Sequence, residues 1–390
     1  MNAHTQLQSA AAADTVCVAA EDLRRGLAFV RKVIERRNTI PVLNMLRLYA
    51  NGTLLTLRAT DLDIECEVEL EANAGSRLFC LLNPGLLADL VRYAEGPVTI
   101  SKVGEIVTIV ADDVTAEVRA LCDPEDWPDI LGMRESNVGV NIGEGQLHKA
   151  LNTTLPCAST EETRYYLNGV YLHDAGEGLI AVATDGHRLA KYETGEDWGL
   201  QGAILPRKTA RIVMDRLRAD GNASVSVRPI SAQRQVHRRS GLGAAKPTPG
   251  ESEPFVSHLV FEGQGWSVLS KIIDGTFPDY TRVIPKRTGK ISATLTAAAL
   301  KRFPKGSERT RALKIDPDGG RMTMKGVLES ATISMPIQGT GPAMGCNLNY
   351  LLGFAQRAGT IRIEGNGPGD PFHILTDDPR LTQILMPMRV

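Results

Sequence analysis

Leu179-Ile180-Ala181-Val182-Ala183-Thr184-Asp185-Gly186-His187-Arg188-Leu189-Ala190 is the stretch from which the rest of the chain can be read. Its first half is an apolar run of strand type that ends in Thr-Asp-Gly. Gly takes positive φ at no steric cost, so Asp-Gly predicts a tight turn, and Leu189-Ala190 begins a return strand. His187 and Arg188 then stand at the exit of the turn, two donor-rich side chains at a surface corner suited to recognition. The word is not unique in the chain. LIAVATD at 179–185 echoes LTLRATD at 55–61, 124 residues earlier.

Other words repeat with it. An amphipathic helix is predicted over 21–34, with Leu23, Leu27, Val30 and Ile34 on one face at the 3.6 period. Leu147 answers Leu23 at the same 124-residue shift, whereas Phe277-Pro278-Asp279 answers Trp127-Pro128-Asp129 at a shift of 150. The difference is taken up by 228–254, which is rich in Gly, Pro, Ser and Arg and has no hydrophobic period. It reads as a long, mobile hairpin loop inserted in the second copy. A second helix is predicted over 84–94. A weaker third copy starts near Ser292, with helices over 297–303 and 347–357 and a strand over 321–325. Repeats of this length are domains, not solenoid units. The expectation is an α+β protein of three repeated domains, each with two helices covering an antiparallel sheet: 15–133, 134–286 and 287–390, after a disordered tail over 1–14.

Composition narrows the class. Hydrophobic residues make up 43% and charged residues 23%, as in ordinary globular proteins, and the net charge is -1. The six cysteines are scattered without a C-x-x-C pair, which fits reduced thiols in a cytosol. No apolar run approaches the ~18 residues of a membrane span, and 1–14 has no secretory pattern. The charges are segregated, however. Residues 21–37 hold six basic side chains against three acidic ones, and 206–218 hold Arg207, Lys208, Arg211, Arg216 and Arg218 against Asp215. Residues 299–311 hold five basic side chains against Glu308, whereas the strand region 53–71 holds six carboxylates against Arg58. Helices gathered on one side of their sheets would make that side basic, the footprint of sequence-independent contact with a nucleic-acid backbone. The plainer alternative is that Lys and Arg solvate exposed helix faces.

The candidate sites also carry two readings. Arg164-Tyr165-Tyr166 could contact a nucleic-acid backbone, or place one ring in the core and one at the rim. His187 with Asp185 could serve catalysis, but no metal set, P-loop, dinucleotide fingerprint or G-x-S-x-G elbow accompanies them, so a polar binding corner is the better reading. The terminal Met386-Pro387-Met388-Arg389-Val390 is either an edge whose thioethers fill core gaps or one wall of an adaptable groove.

RYYLNG (164–169), ATDGHRLA (183–190), FPDYTRVIP (277–285) and LMPMRV (385–390), with RRNTIPVL and ATDLDIE in the first copy, resemble the bacterial sliding clamps, the beta subunits of the replicative DNA polymerase. The resemblance runs over about 16–390. It implies a head-to-tail homodimeric ring of six similar domains, with helices lining the hole, that encircles duplex DNA and tethers the polymerase. It implies no catalysis, no cofactor and no metal, and a cytoplasmic, nucleoid-associated protein. The partners implied are double-stranded DNA, the polymerase catalytic subunit, the clamp loader and other proteins with short clamp-binding peptides. The peptide pocket carried over consists of Arg164, Leu167, Thr184, Gly186, His187, Arg188, Leu189, Pro278, Arg282, Val283, Tyr350, Met386, Pro387, Met388, Arg389 and Val390. The DNA contacts are Arg37, Tyr165, Tyr166 and Lys208, joined by Arg24, Arg207 and Arg211 from the basic helices. The alternative is a related peptide-binding scaffold that does not close around DNA. Three features depart from the pattern: the carboxylates Glu161 and Glu162 beside the tyrosines, the 228–254 insertion, and Pro304, which should cut short the third copy's first helix and loosen the dimer.

Overall fold

Three pairs of helices mark the three repeats. A computed structural model describes residues 14–35, 38–120, 122–128, 130, 139–176, 178–238, 246–303, 311–325 and 332–390. Helices α1 (Ala20–Val30) and α2 (Pro84–Leu90) pack together in the first repeat, α3 (Glu144–Thr154) and α4 (Arg207–Arg216) in the second, and α5 (Ala297–Lys301) and α6 (Leu348–Ala358) in the third. The strand pairings among the described residues are antiparallel, so the α+β expectation holds. Pro304, the supposed end of α5, lies outside the described residues, as do residues 1–13 of the expected tail.

The helices form where the sequence places them, for identifiable reasons. On α1, Leu23, Leu27 and Val30 are fully buried at i, i+4 and i+7, each worth about 1.5–3 kcal/mol. Gly26 lets this face lie close, since a Cβ there would meet Leu57 and Leu70 side chains at 3.1 and 3.2 Å. Asn83 caps α2, its Oδ1 accepting from Gly85 N (2.9 Å) and Leu86 N (3.0 Å), with Pro84 in the first turn. Asn347 caps α6 in the same way, and Gly359 ends it at φ 74°.

The repeated ATD word folds into the same corner twice. In the first copy Thr60 Oγ1 donates to Ile64 O (2.8 Å) and accepts from Leu62 N (3.0 Å), while Asp61 Oδ1 accepts from Asp63 N and Ile64 N. In the second, Thr184 Oγ1 donates to Arg188 O (2.8 Å) and accepts from Gly186 N (3.1 Å), while Asp185 Oδ1 accepts from His187 N and Arg188 N. The residue after each Asp is left-handed: Leu62 at φ 79° and Gly186 at φ 86°.

The chain divides into two compact units, 1–141 with 223–271, and 142–222 with 272–390. In the first unit, strand Trp266–Lys271 pairs antiparallel with Ile64–Ala74, in register Val268↔Cys66, so part of the second repeat completes the first repeat's sheet. In the second unit, Arg188–Glu193 pairs with Leu381–Leu385, in register Leu189↔Ile384. A nine-stranded sheet thus runs from the second repeat into the third. The 228–254 stretch differs from expectation. Strands Ser224–Arg238 and Lys246–Gly263 pair antiparallel from Ser226↔Glu262 to Arg238↔Lys246, with register shifts after Ile230 and Gln235, and Ile230 is buried against Val260, Leu269 and Ile130. Paired backbone can satisfy its polar groups whatever the side chains, which is why composition alone suggested a loop. No helix among the described residues is long and apolar enough to cross a membrane.

Candidate functional site

The second unit builds a recognition corner on the 184–188 turn. Asp185 fixes it: one carboxylate oxygen takes the two backbone N–H groups of His187 and Arg188, and the other accepts from Arg188 Nε at 3.0 Å. That carboxylate is committed to structure, so it is not an available base for His187. Cys157, buried nearby, has its thiol pushed up to about 12 by burial and is an inert core residue. The corner therefore offers shape and donors instead of a nucleophile.

Tyr350 on α6 forms its facing wall. Arg188 lies over the Tyr350 ring at 4.3 Å, and the His187 ring stacks beside it at 6.5 Å. Burial raises the Tyr350 pKa, and the Asp185 charge acts in the same direction. The C-terminal segment closes the other side. Met386 N donates to His187 O at 2.8 Å, and Met388 N donates to Gly345 O at 2.9 Å. Met386, Pro387 and Met388 are half-buried, while Arg389 and Val390 are exposed. Arg164 reaches the corner from the 3-10 turn 162–167, for a Cβ on Gly186 would stand 2.8 Å from its Nη1.

Leu167 and Leu189 lie beneath, in a buried cluster with Ile180, Val182, Ile204, Phe277, Tyr280 and Ile384. Phe277 and Tyr280 anchor the segment that exposes Pro278, Arg282 and Val283. Asp279 caps that segment. Its carboxyl accepts from Thr281 Oγ1 and N and from Arg282 Nε, which hold its pKa below the usual carboxylate range. Tyr280 is fixed by His173, whose Nε2 lies 3.0 Å from its hydroxyl, and Tyr171 stacks between His173 and Phe277. Sequence reasoning placed Asp185 in the turn but missed its bond to Arg188 Nε, and it missed Gly345 as the seat of the tail and His173, which no local pattern marks.

The proposed nucleic-acid contacts divide by environment. Tyr165 is exposed, Tyr166 packs against the buried cluster, and the two rings meet edge to face at 5.8 Å, so the pair has one ring at the rim and one at the core. Glu161 pairs with Arg164 at 3.1 Å, which blunts one of the two carboxylates beside them. Arg211 is exposed and Lys208 half-exposed. Arg24 Nη1 donates to Val91 O (2.9 Å) and Ala94 O (2.6 Å), carbonyls at the end of α2. Arg207 Nη1 donates to Ala158 O (2.9 Å) and Ser159 O (3.0 Å), and burial lowers its pKa, with Arg211 and Arg188 adding to the effect. Both tie elements of their repeat together, a role their basic neighbourhood did not reveal. Arg37 lies outside the described residues.

Residues 15–130 match the family described as the DNA polymerase III beta subunit, N-terminal domain, and residues 141–279 match its central domain. The beta sliding clamp of Caulobacter vibrioides is 31% identical over 94% of this chain and 98% of its own length, and that of Pseudomonas putida 27% identical over 85% and 87%. Among solved structures, the Caulobacter crescentus beta sliding clamp superposes with a TM-score of 0.81 at 29% identity, covering 97% of this chain and 99% of that one. A Bartonella birtlesii sliding clamp solved bound to griselimycin gives the same TM-score at 25% identity, covering 97% and 100%. Identity of this extent, over nearly the full length of both chains and with the same fold, means that the chain belongs to the bacterial beta sliding clamp family.

Proposed function

We propose that this chain works as a DNA sliding clamp through two surfaces: the corner at 184–188, which docks short peptides, and the basic helices, which face duplex DNA. The observation that carries the docking surface is the convergence at one corner of three distant segments. The 184–189 turn, Tyr350 of α6 and the C-terminal tail are joined by the Met386–His187 backbone bond and the Arg188–Tyr350 stack. Half-buried thioethers beside a rim of donors suit a peptide with apolar anchors and a polar lead residue. Polymerase, clamp loader and other replication or repair proteins bring such peptides to the clamp.

The DNA surface draws on Arg211, Lys208 and Tyr165. It serves sliding because phosphate contacts carry no sequence information. The chain closes head to tail with a second copy into a ring, is not an enzyme, and acts at the nucleoid in the cytoplasm. Strand Val114–Arg119, an edge of the first unit's sheet, is the candidate contact. Arg119 already pairs with Glu105 of its own chain at 2.7 Å. Loading onto nicked circular DNA tests the reading. The chain should be retained on circles and lost on linearisation. Failure to load, with peptide binding intact, would favour a scaffold that does not close around DNA.

A further inference from the structure

The inserted hairpin changes its charge balance along its length. Strands Ser224–Arg238 and Lys246–Gly263 pair from Ser226↔Glu262 outward to Arg238↔Lys246. Near the base, Arg228 Nε donates to Glu262 Oε2 at 3.2 Å, so cation and carboxylate are matched. Further out, Arg234 stands opposite Glu253, again one charge of each sign. At the far end Arg238 stands opposite Lys246. Like charges at directly opposed positions destabilise a strand pair. No Asp or Glu occurs from 229 to 250, a run that holds Arg234, Arg238, Arg239 and Lys246. Those four positive charges belong to a chain whose net charge is -1.

Solubility and edge protection do not require this arrangement. They ask only for charge, and Lys opposite Glu would supply it as a favourable pair. The apolar anchor of the hairpin, Ile230 against Val260 and Leu269, lies toward its base. Two strands extended beyond their anchor are marginally stable alone. A repulsive pair at their end is therefore a cost that an anionic partner removes. No Phe, Tyr or Trp lies between 229 and 254, so the hairpin lacks the large aromatic rings on which bases stack. Arg234 and Arg238 are four residues apart, about 13 Å at ~3.3 Å per residue, which spans about four base-pair steps of ~3.4 Å. A duplex offers phosphates along such a span whatever its sequence, whereas an acidic protein surface would have to place its carboxylates to match.

From this gradient of charge we propose that the far end of the inserted hairpin, at Arg238 and Lys246, binds the phosphate backbone of nucleic acid. The contact is additional to the basic helices and needs no closed ring. It is sequence-independent, because phosphates carry no sequence information.

The test uses the full-length chain and a short fluorescein-labelled linear duplex, read by anisotropy across a salt series. Arg238→Gln with Lys246→Gln removes both charges and keeps the chain length. Duplex affinity should fall about tenfold at low salt, and the slope of log K against log salt should lessen by about two. The loss should be equal on a second duplex of unrelated sequence. The thermal midpoint should not fall, because the change also removes a like-charge pair, and this separates lost contact from lost fold. Shortening across 236–250 should reproduce the loss of affinity. Wild-type affinity and slope in the double variant overturn the proposal, as does a loss confined to one of the two sequences. A double variant that keeps duplex binding but loses binding to poly-glutamate also overturns it, since the partner is then an acidic protein surface. Arg211→Glu is measured alongside. If it binds the duplex as the wild type does while the hairpin variant does not, the helix surface falls and the hairpin contact stands.

Discussion

Gly345 should be the most sensitive position for the docking surface, although no ligand need touch it. It is buried in strand Met344–Asn347, and the C-terminal tail lies directly on it. A Cβ at 345 would stand 1.9 Å from Met388 O, 3.0 Å from Met388 C and 2.6 Å from Val390 Cγ1. The nearest of these is backbone, which cannot rotate away, so Gly345→Ala must move the tail by more than an ångström. The bond from Met388 N to Gly345 O then breaks, a net loss of about 0.5–1.5 kcal/mol. Distorting the strand instead would cost about 1–3 kcal/mol. The cheaper relief is for the tail to lift after Met386, which its own bond to His187 O retains. The tail wall at 387–390 is then displaced. Peptide affinity should fall about tenfold, ~1.4 kcal/mol, with a loss of global stability of only about 1 kcal/mol. Fluorescence anisotropy and thermal unfolding read the two effects separately. Removing Met388–Val390 should give a similar loss of affinity, and combining the changes should add little, because both act through one contact. Wild-type affinity in Gly345→Ala, or full additivity with the truncation, would refute the reasoning.

Other outcomes follow from the same geometry. Arg207→Glu should unfold more readily, by about 2–4 kcal/mol, because it removes two bonds to buried carbonyls and leaves a reversed charge. Arg211→Glu should keep the wild-type melting curve and lose loading onto DNA, most visibly as salt is raised; equal melting of the two variants would contradict the division. Burial pulls the imidazoles of His173 and His258 below their ordinary 6.5. The unfolded chain then binds protons more readily, so this stability is complete above that value and is lost as pH falls from it through the lower folded-state values. Thermal midpoints should drop between about pH 7 and pH 5, and His173→Gln with His258→Gln should flatten that drop. Shortening the chain across 236–250 should leave the midpoint within a few degrees, since the entropy of closing a connection changes little with its length. Removing all of 228–254 should not, because it takes away Ile230 from its buried cluster.

What the sequence reveals here depends on the distance over which each feature is encoded. The Thr-Asp corner is local: hydroxyl and carboxylate bond their own backbone within four residues, so a repeated word marks a repeated structure. The same bonds hold Leu62 at φ 79° where the second copy has Gly186. Leucine carries no signal for that conformation, and the side chains of Thr60 and Asp61 before it impose it against a cost of about 1 kcal/mol. Helices were readable for the same reason, since one face repeats within a turn. Sheet closure was not. Pairing of 266–271 with 64–74 depends on register between segments two hundred residues apart, and alternation along either strand is compatible with many partners. This is why the sharing of a sheet between neighbouring repeats could not be read from the sequence. Charge shows a third case. The sign of a basic helix can be counted, but the direction of each guanidinium cannot. Arg24 and Arg207 lie among residues suited to phosphate, yet spend donors on carbonyls within 3.0 Å. Arg357 likewise donates to a carbonyl, Gly353 O, in its own helix. The corner could be found from its words, but the charge it asks of a ligand depends on which cations have already found a partner inside the fold.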